Sequence, residues 1–574
     1  MKTKQVATPT KPLRHFLAQD LQIDSWKKIE PYFIDLKERK ISSAEELEKW
    51  LLDRSELEAA LSEDFAWRYI KMTCDTTDQA LSDSYNFFVS EIDPNIAPFS
   101  NELNIKLINS PYLSGLDQEK YRIYIRGIKK ALELYREENI PLQTRIGIES
   151  QKYGAISAAM TIEWEGKEIT LQMASSLMKD TNRAIREEVY KKIQERRAKD
   201  VDTLNELFTE LIKLRHQVAI NAGFKNYRDY KFDELGRFDY TIKDCFDFHG
   251  SIAKEILPLA EASDLERKKK MKLDVLKPWD TDVDVEGKSA LKPFSSASEL
   301  VEKSIACFDR IRSDFGDYLE IMKNMGYLDL ESRIGKAPGG YNYPLYEIGV
   351  PFIFMNSVGT HRDLVTMVHE GGHAIHSFVT RDLPITDFKS APSEVAELAS
   401  MSMELISMEH WDVFFENPDD LKRAKKEQLD KSLKTLLWIA AVDQFQHWVY
   451  ENPTHTVPER MKKWKQVIDS FTSKIVDYSG LDDVRERGWQ SQLHIYEVPF
   501  YYIEYGMAQL GAIAVWRNYK NDPVKALDAY EAALRLGYTK SIPEIYKTAG
   551  IEFNFSQAYV KELADFVKNE LDKL

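Results

Sequence analysis

The sequence is poor in the residues that staple or interrupt a chain. Three cysteines, Cys74, Cys245 and Cys307, lie far apart in 574 residues, with no C-x-x-C pair. An odd count so spaced argues against a disulfide framework and against a thiolate zinc site, and leaves the cysteines as small packing residues. Glycine (24) and proline (21) are sparse for the length, and strand-like runs are few. No apolar run reaches the roughly 18 residues of a membrane span, and no apolar stretch follows the charged start Met1–Lys4, so neither a membrane partner nor a secretory signal is expected. No Lys/Arg-rich block occurs, and 78 basic against 93 acidic residues leave a net charge of −15. Sequence-independent nucleic-acid binding needs clustered positive charge and is excluded on that ground. The expectation is a cytoplasmic protein of unknown oligomeric state.

What is present is helix. Hydrophobic residues make up 43% of the chain, enough for a sizeable core. Segments 42–52, 180–220 and 296–325 repeat apolar residues at three- and four-residue spacing, with charge on the other face. Ser42–Glu45 and Ser296–Glu299 read as capping boxes at helix starts. The clearest strand is Val350–Asn356, and 276–294 reads as a loop or hairpin between helical blocks. No repeat at a solenoid period is found. The fold class expected is mainly α with a small central β element, an amino-terminal helical region over 1–195 and a catalytic region over 196–574.

Chemistry concentrates in Asp363–Phe378, which contains His369-Glu370-Gly371-Gly372-His373, an HExxH on an amphipathic helix. Four residues advance a helix by about 400°, so both imidazoles project from one face and can share a zinc ion. Glu370, about 100° around, can reach a water at that ion and serve as general base. Two glycines inside the helix cost roughly 1 kcal/mol each relative to alanine, which a merely structural helix has no reason to accept. His376 lies two turns along the helix from His369 and reads as an outer or substrate-facing group. A third ligand is expected on the next helix, where Glu394 and Glu397 stand one turn apart; spacing alone does not choose between them, and Glu404 reads as a hydrogen-bonded or solvated carboxylate. After Pro499, which suits a first helical turn, Tyr501, Tyr502 and Tyr505 fall on opening turns near His494. Such hydroxyls and a histidine can donate to an oxyanion.

The motif His369–His376 followed by Ala396–Ser400 resembles the zinc metallopeptidase family of thimet oligopeptidase and bacterial oligoendopeptidase F. The likeness extends to Pro338–Tyr341, Pro351–Asn356, His494–Tyr505 and Ala549–Phe553. It implies a large two-lobed helical body with a deep substrate channel, holding one zinc per chain. The family's E-x-x-S pattern falls on Glu397–Ser400, which makes Glu397 the third ligand beside His369 and His373; Ser390, where mammalian members carry a glutamate, cannot replace it. The resemblance further implies Glu370 as general base, His494, Tyr505 and then Tyr502 as transition-state contacts, and Phe352–Asn356 as an edge strand that a substrate backbone can join. The activity implied is endopeptidase cleavage of short oligopeptides, with a zinc exopeptidase or a non-catalytic helical peptide-binding protein as alternatives.

Overall fold

A computed structural model describes residues 6–333 and 335–574; the first five residues of the amino-terminal stretch read above for a secretory signal lie outside them. The chain is 69% helical, with two small sheets among the described residues. The periodic segments break where local chemistry breaks them. Residues 180–220 form two helices, Arg183–Ala198 and Val201–Asn221. Residues 296–325 form Ala297–Ile311 and Ser313–Asn324, interrupted by the extended Arg312. Ser296 caps its helix, accepting from the Glu299 N–H, but the reciprocal half of the expected box is shifted, the Glu299 carboxylate accepting from the Ser295 N–H and hydroxyl. The first box is displaced by one residue: Ser43 is the cap, accepting from the Glu46 N–H, and the Glu46 carboxylate accepts from the Ser42 N–H and hydroxyl.

The larger core is built around three helices, His361–Thr380 (the motif helix), Ser393–Ser407 (the return helix) and Tyr502–Asn521. The motif helix is buried along most of its length, from Leu364 to Val379. A separate amino-terminal core gathers Phe33, Trp50, Leu57 and Tyr121, and Ile385 and Phe388 from the loop between the motif and return helices insert into it.

The central β element is a three-stranded sheet in which Phe352–Ser357 lies between Leu328–Glu331, parallel to it, and Tyr341–Tyr343, antiparallel. This corrects the expected edge strand. Its first half is paired on both sides, Phe352–Phe354 with Tyr341–Tyr343 and Ile353 and Phe354 with Leu328 and Asp329, and its unbroken apolar run, Phe352 to Met355, is that of a strand buried on both faces. A hairpin over Thr161–Trp164 and Lys167–Thr170 was not read from the sequence. Its two-residue turn, Glu165 at φ 51° and Gly166 at φ 75°, is the positive-φ pair that matches strand twist. Residues 276–294 are loop, with one short helical turn, Pro278–Asp280, and no strand pair of their own. Asp280 is fully buried there and accepts from Arg183 and Arg186.

Candidate metal centre

The motif helix brings the His369 and His373 rings to 5.0 Å between centroids. The return helix then sets Glu397 against them, its Oε2 3.3 Å from His369 Nε2 and 3.5 Å from His373 Nε2. Close approach of the two helices depends on Gly372, where an added Cβ would stand 2.6 Å from the Ala399 carbonyl oxygen and from Ser400 Cα. A Cβ at Gly371 would meet the Phe308 ring at 2.6 Å. The glycine pair is therefore a packing requirement of the site.

Two members of the trio, His369 and Glu397, are oriented by further side chains. Glu404, two turns beyond Glu397, places Oε1 2.7 Å from His369 Nδ1, and its Oε2 accepts from Gln428 Nε2 at 2.8 Å. A carboxylate at Nδ1 fixes a proton there and presents Nε2 toward Glu397. Glu397 accepts from the Ser400 hydroxyl at 2.8 Å and from the Tyr501 hydroxyl at 2.6 Å. Burial would push its carboxyl up, but His373, His369 and Tyr501 hold it down at about 2. Burial pulls His373 down to about 4 against the attraction of Glu397, so that ring is neutral and free to ligate near pH 7. The donor set, two imidazole nitrogens and one carboxylate oxygen with all three atoms within 4.8 Å of one another, suits a tetrahedral divalent ion with one position to spare.

Glu370 is buried beside the trio. Burial pushes its carboxyl up to about 7, opposed by His369, and its Oε2 has no hydrogen-bond partner. Glu394 does not face the histidines. One turn before Glu397 on the return helix, its carboxylate is taken up elsewhere, accepting from the Tyr240 hydroxyl at 2.6 Å. His376 is buried outside the trio, with Nε2 unpartnered, and lines a cavity with His373.

The aromatic segment departs from expectation at its start. Pro499 sits in a turn, and the helix begins only at Tyr502. Phe500 between them has φ 67°, a strained conformation for a bulky residue, held by its N–H donating to Gln446 Oε1 at 2.8 Å and its carbonyl accepting from Arg237. That kink leaves Tyr501, not Tyr505, on the Glu397 carboxylate. His494 packs against Tyr501, Tyr502 and Tyr505, edge-on to the last two, and its Nε2 is 3.4 Å from the Tyr505 hydroxyl. Burial pulls His494 down to about 4. Tyr502 lies 4.9 Å from the His494 ring and 5.4 Å from Tyr505, centroid to centroid.

Sequence reasoning missed the ties made by Glu404 and Tyr501. The first had a readable signal, since seven residues return a helix to nearly the same face. The second depends on a backbone kink that no periodicity reveals. A second group, Cys245, Asp443 and His447, also converges. There Asp443 already accepts from His249 at 2.7 Å and stands 3.2 Å from His447, and Phe246 and Phe500 pack on the His447 ring. The group is buried, and His249 Nδ1, Asp443 Oδ1 and both His447 ring nitrogens lack a hydrogen-bond partner.

Residues 176–565 match Peptidase family M3, and residues 16–135 match the Peptidase M3 N-terminal domain. The chain is 21% identical over 409 residues to an oligoendopeptidase F homolog of Borreliella burgdorferi, covering 69% of this chain and 66% of that protein. It is 25% identical over 436 residues to an oligoendopeptidase F homolog of Mycoplasma pneumoniae, covering 68% and 66%. The chain thus spans just under two thirds of the length of these curated relatives. Among solved structures it is similar to PZ peptidase A with inhibitor 2, at 26% identity, TM-score 0.91 and coverage of 96% and 97%. The fold is also that of oligoendopeptidase-F from Enterococcus faecium, at 17% identity, TM-score 0.64 and coverage of 96% and 97%.

Proposed function

The chain belongs to Peptidase family M3, and on that premise we propose that it is a zinc-dependent endopeptidase that hydrolyses internal bonds of short oligopeptides. The observation that carries this reading is the convergence of His369 Nε2, His373 Nε2 and Glu397 Oε2 beside a buried carboxylate, Glu370, with an oxygen left unpartnered. His369, His373 and Glu397 would hold the ion, one per chain, which supplies Lewis acidity to a peptide carbonyl and acidifies the attacking water.

The remaining steps belong to the chain's own groups. Glu370 takes the proton from the attacking water and returns it to the leaving amine; a carboxyl raised by burial suits both halves of that task. His494 and Tyr505 donate toward the oxygen on which charge develops. Tyr501 and Ser400 hold Glu397 in place. We assign this chemistry to residues 196–574 and a covering role to 1–195. Three free cysteines fit a reducing compartment, the cytoplasm. Among the described residues no helix is long and apolar enough to cross a membrane.

An internally quenched peptide blocked at both ends tests the reading. Cleavage that stops on chelation and returns with zinc supports it. Failure to cut the blocked peptide, with release of terminal residues from an unblocked one, would make the chain an exopeptidase; no cleavage of either by metal-replete protein would reject the hydrolase reading.

A further inference from the structure

A cavity of about 210 Å³ opens directly beside the candidate ligands, lined by His373 and Glu397 at one side and by Arg381 and Lys389 among its other walls. The only carboxylate lining it is Glu397, which is engaged with the two histidines, Tyr501 and Ser400. The two cations have almost nothing to balance them. Among the described residues Lys389 makes no ion pair, and Arg381 has only Asp382, 3.8 Å away with a side chain 98% exposed, where solvent screens the attraction. Burial pulls the Lys389 amine down, opposed only by the attraction of the exposed Asp382, so it is drawn partly out of water with no ion pair of its own.

The positions of these residues are fixed by packing. Arg381 follows the last residue of the motif helix. Lys389 ends a short turn, Thr386–Lys389, whose Phe388 is buried against Tyr121 and Tyr124 of the amino-terminal core. In a chain of net charge −15, two unmatched cations held in a small cavity next to a reaction centre ask for an anion from the substrate. A guanidinium and an ammonium together match a carboxylate.

We propose that this cavity binds a carboxylate of the peptide adjoining the cut bond, either an Asp or Glu side chain or a free carboxy terminus. The proposal rests on the peptidase reading above and narrows its substrate class to peptides that present a negative charge near the cut. The cavity shares Ser390 and Ala391 with a larger one of about 470 Å³, so a chain entering it has room to continue.

Peptides of one sequence test this, with Glu or Gln scanned over the two residues on each side of the cut, each with a free or amidated carboxy terminus. The ratio of kcat/KM between charged and neutral partners is the readout, taken within one enzyme preparation. We expect roughly a tenfold ratio, from the charged hydrogen bonds gained. A ratio that follows Glu against Gln identifies the side chain; one that follows free acid against amide identifies the terminus. The ratio should fall toward one in Lys389→Met/Arg381→Gln and survive in Lys389→Arg. Ratios within twofold of one throughout, or a tenfold ratio that persists in the double variant, would overturn the proposal. Calorimetric binding of the same peptides to Glu370→Gln should show the same ranking. That arm decides the proposal even if cleavage itself fails, an outcome that would count against the peptidase reading instead.

Discussion

Gln492 Nε2 lies 2.7 Å from His494 Nδ1. The amide orientation is fixed from its other end, because Trp438 Nε1–H can only donate and does so to Gln492 Oε1 at 2.9 Å. The amide NH2 therefore faces the ring, Nδ1 accepts, and the neutral imidazole carries its proton on Nε2, the nitrogen beside Tyr505. A tautomer set by a neighbour's hydrogen bond is a way of aiming a donor.

Gln492→Glu should disturb that donor without removing a ligand. A carboxylate at Nδ1 draws the proton away from Nε2, so kcat should fall roughly tenfold or more while zinc content is unchanged. Steady-state kinetics with metal analysis checks this, and an unaltered kcat would show that the tautomer of His494 does not matter.

Glu404→Ala should weaken metal binding about 10- to 100-fold, because the carboxylate that orients His369 is lost and the ligand itself stays. Competition with a chromophoric chelator measures the shift. An affinity equal to that of the unmodified chain would mean that packing alone orients the ring.

The glycine pair gives a stability test with two arms. At position 372 the new Cβ meets backbone of the return helix, which cannot move independently, so Gly372→Ala should cost about 1–3 kcal/mol or more and reduce zinc content. At position 371 it meets the tip of the Phe308 side chain rather than backbone, and the loss should be smaller. Thermal unfolding of both variants would contradict this packing argument if Gly372→Ala were the more stable of the two.

Away from the site, Asp280 provides the pH dependence. Burial would push its carboxyl up, but Arg183, the Lys277 N–H and Arg186 hold it below the usual value of 3.8. A depressed folded value gives stability that is present above about pH 4 and is lost as pH falls through the folded value. Asp280→Asn, which leaves Arg186 buried beside a neutral group, should cost about 3 kcal/mol at pH 7. The gap in Tm between the two proteins should close below pH 4; a gap constant from pH 7 to pH 3 would assign the loss to packing.

Much of this site was legible because it is local. The i,i+4 histidines and the glutamate between them sit on one helix, whose rotation per residue is fixed. Glu397 needed more, since Glu394 is one turn away and equally charged. What separates them is how the return helix is rolled, with Glu394 against Tyr240 and Glu397 against the histidines. The sheet order and the Phe500 kink were not legible. Both depend on partners distant in sequence, Leu328–Glu331 for the strand and Gln446 and Arg237 for the kink. Pro499 was read as a first helical turn but lies three residues before the helix starts at Tyr502, because Phe500 leaves helical geometry. The box at Ser42 was misplaced by one residue because Ser42 and Ser43 both carry hydroxyls and only one can cap.

The most direct measurement is zinc content alongside peptide cleavage in three proteins: the unmodified chain, Glu370→Gln and Glu397→Ala. We expect one zinc per chain and cleavage in the first, one zinc and turnover lowered by several orders of magnitude in the second, and substoichiometric zinc in the third. Full zinc in Glu397→Ala, or near-normal turnover in metal-replete Glu370→Gln, would contradict the account.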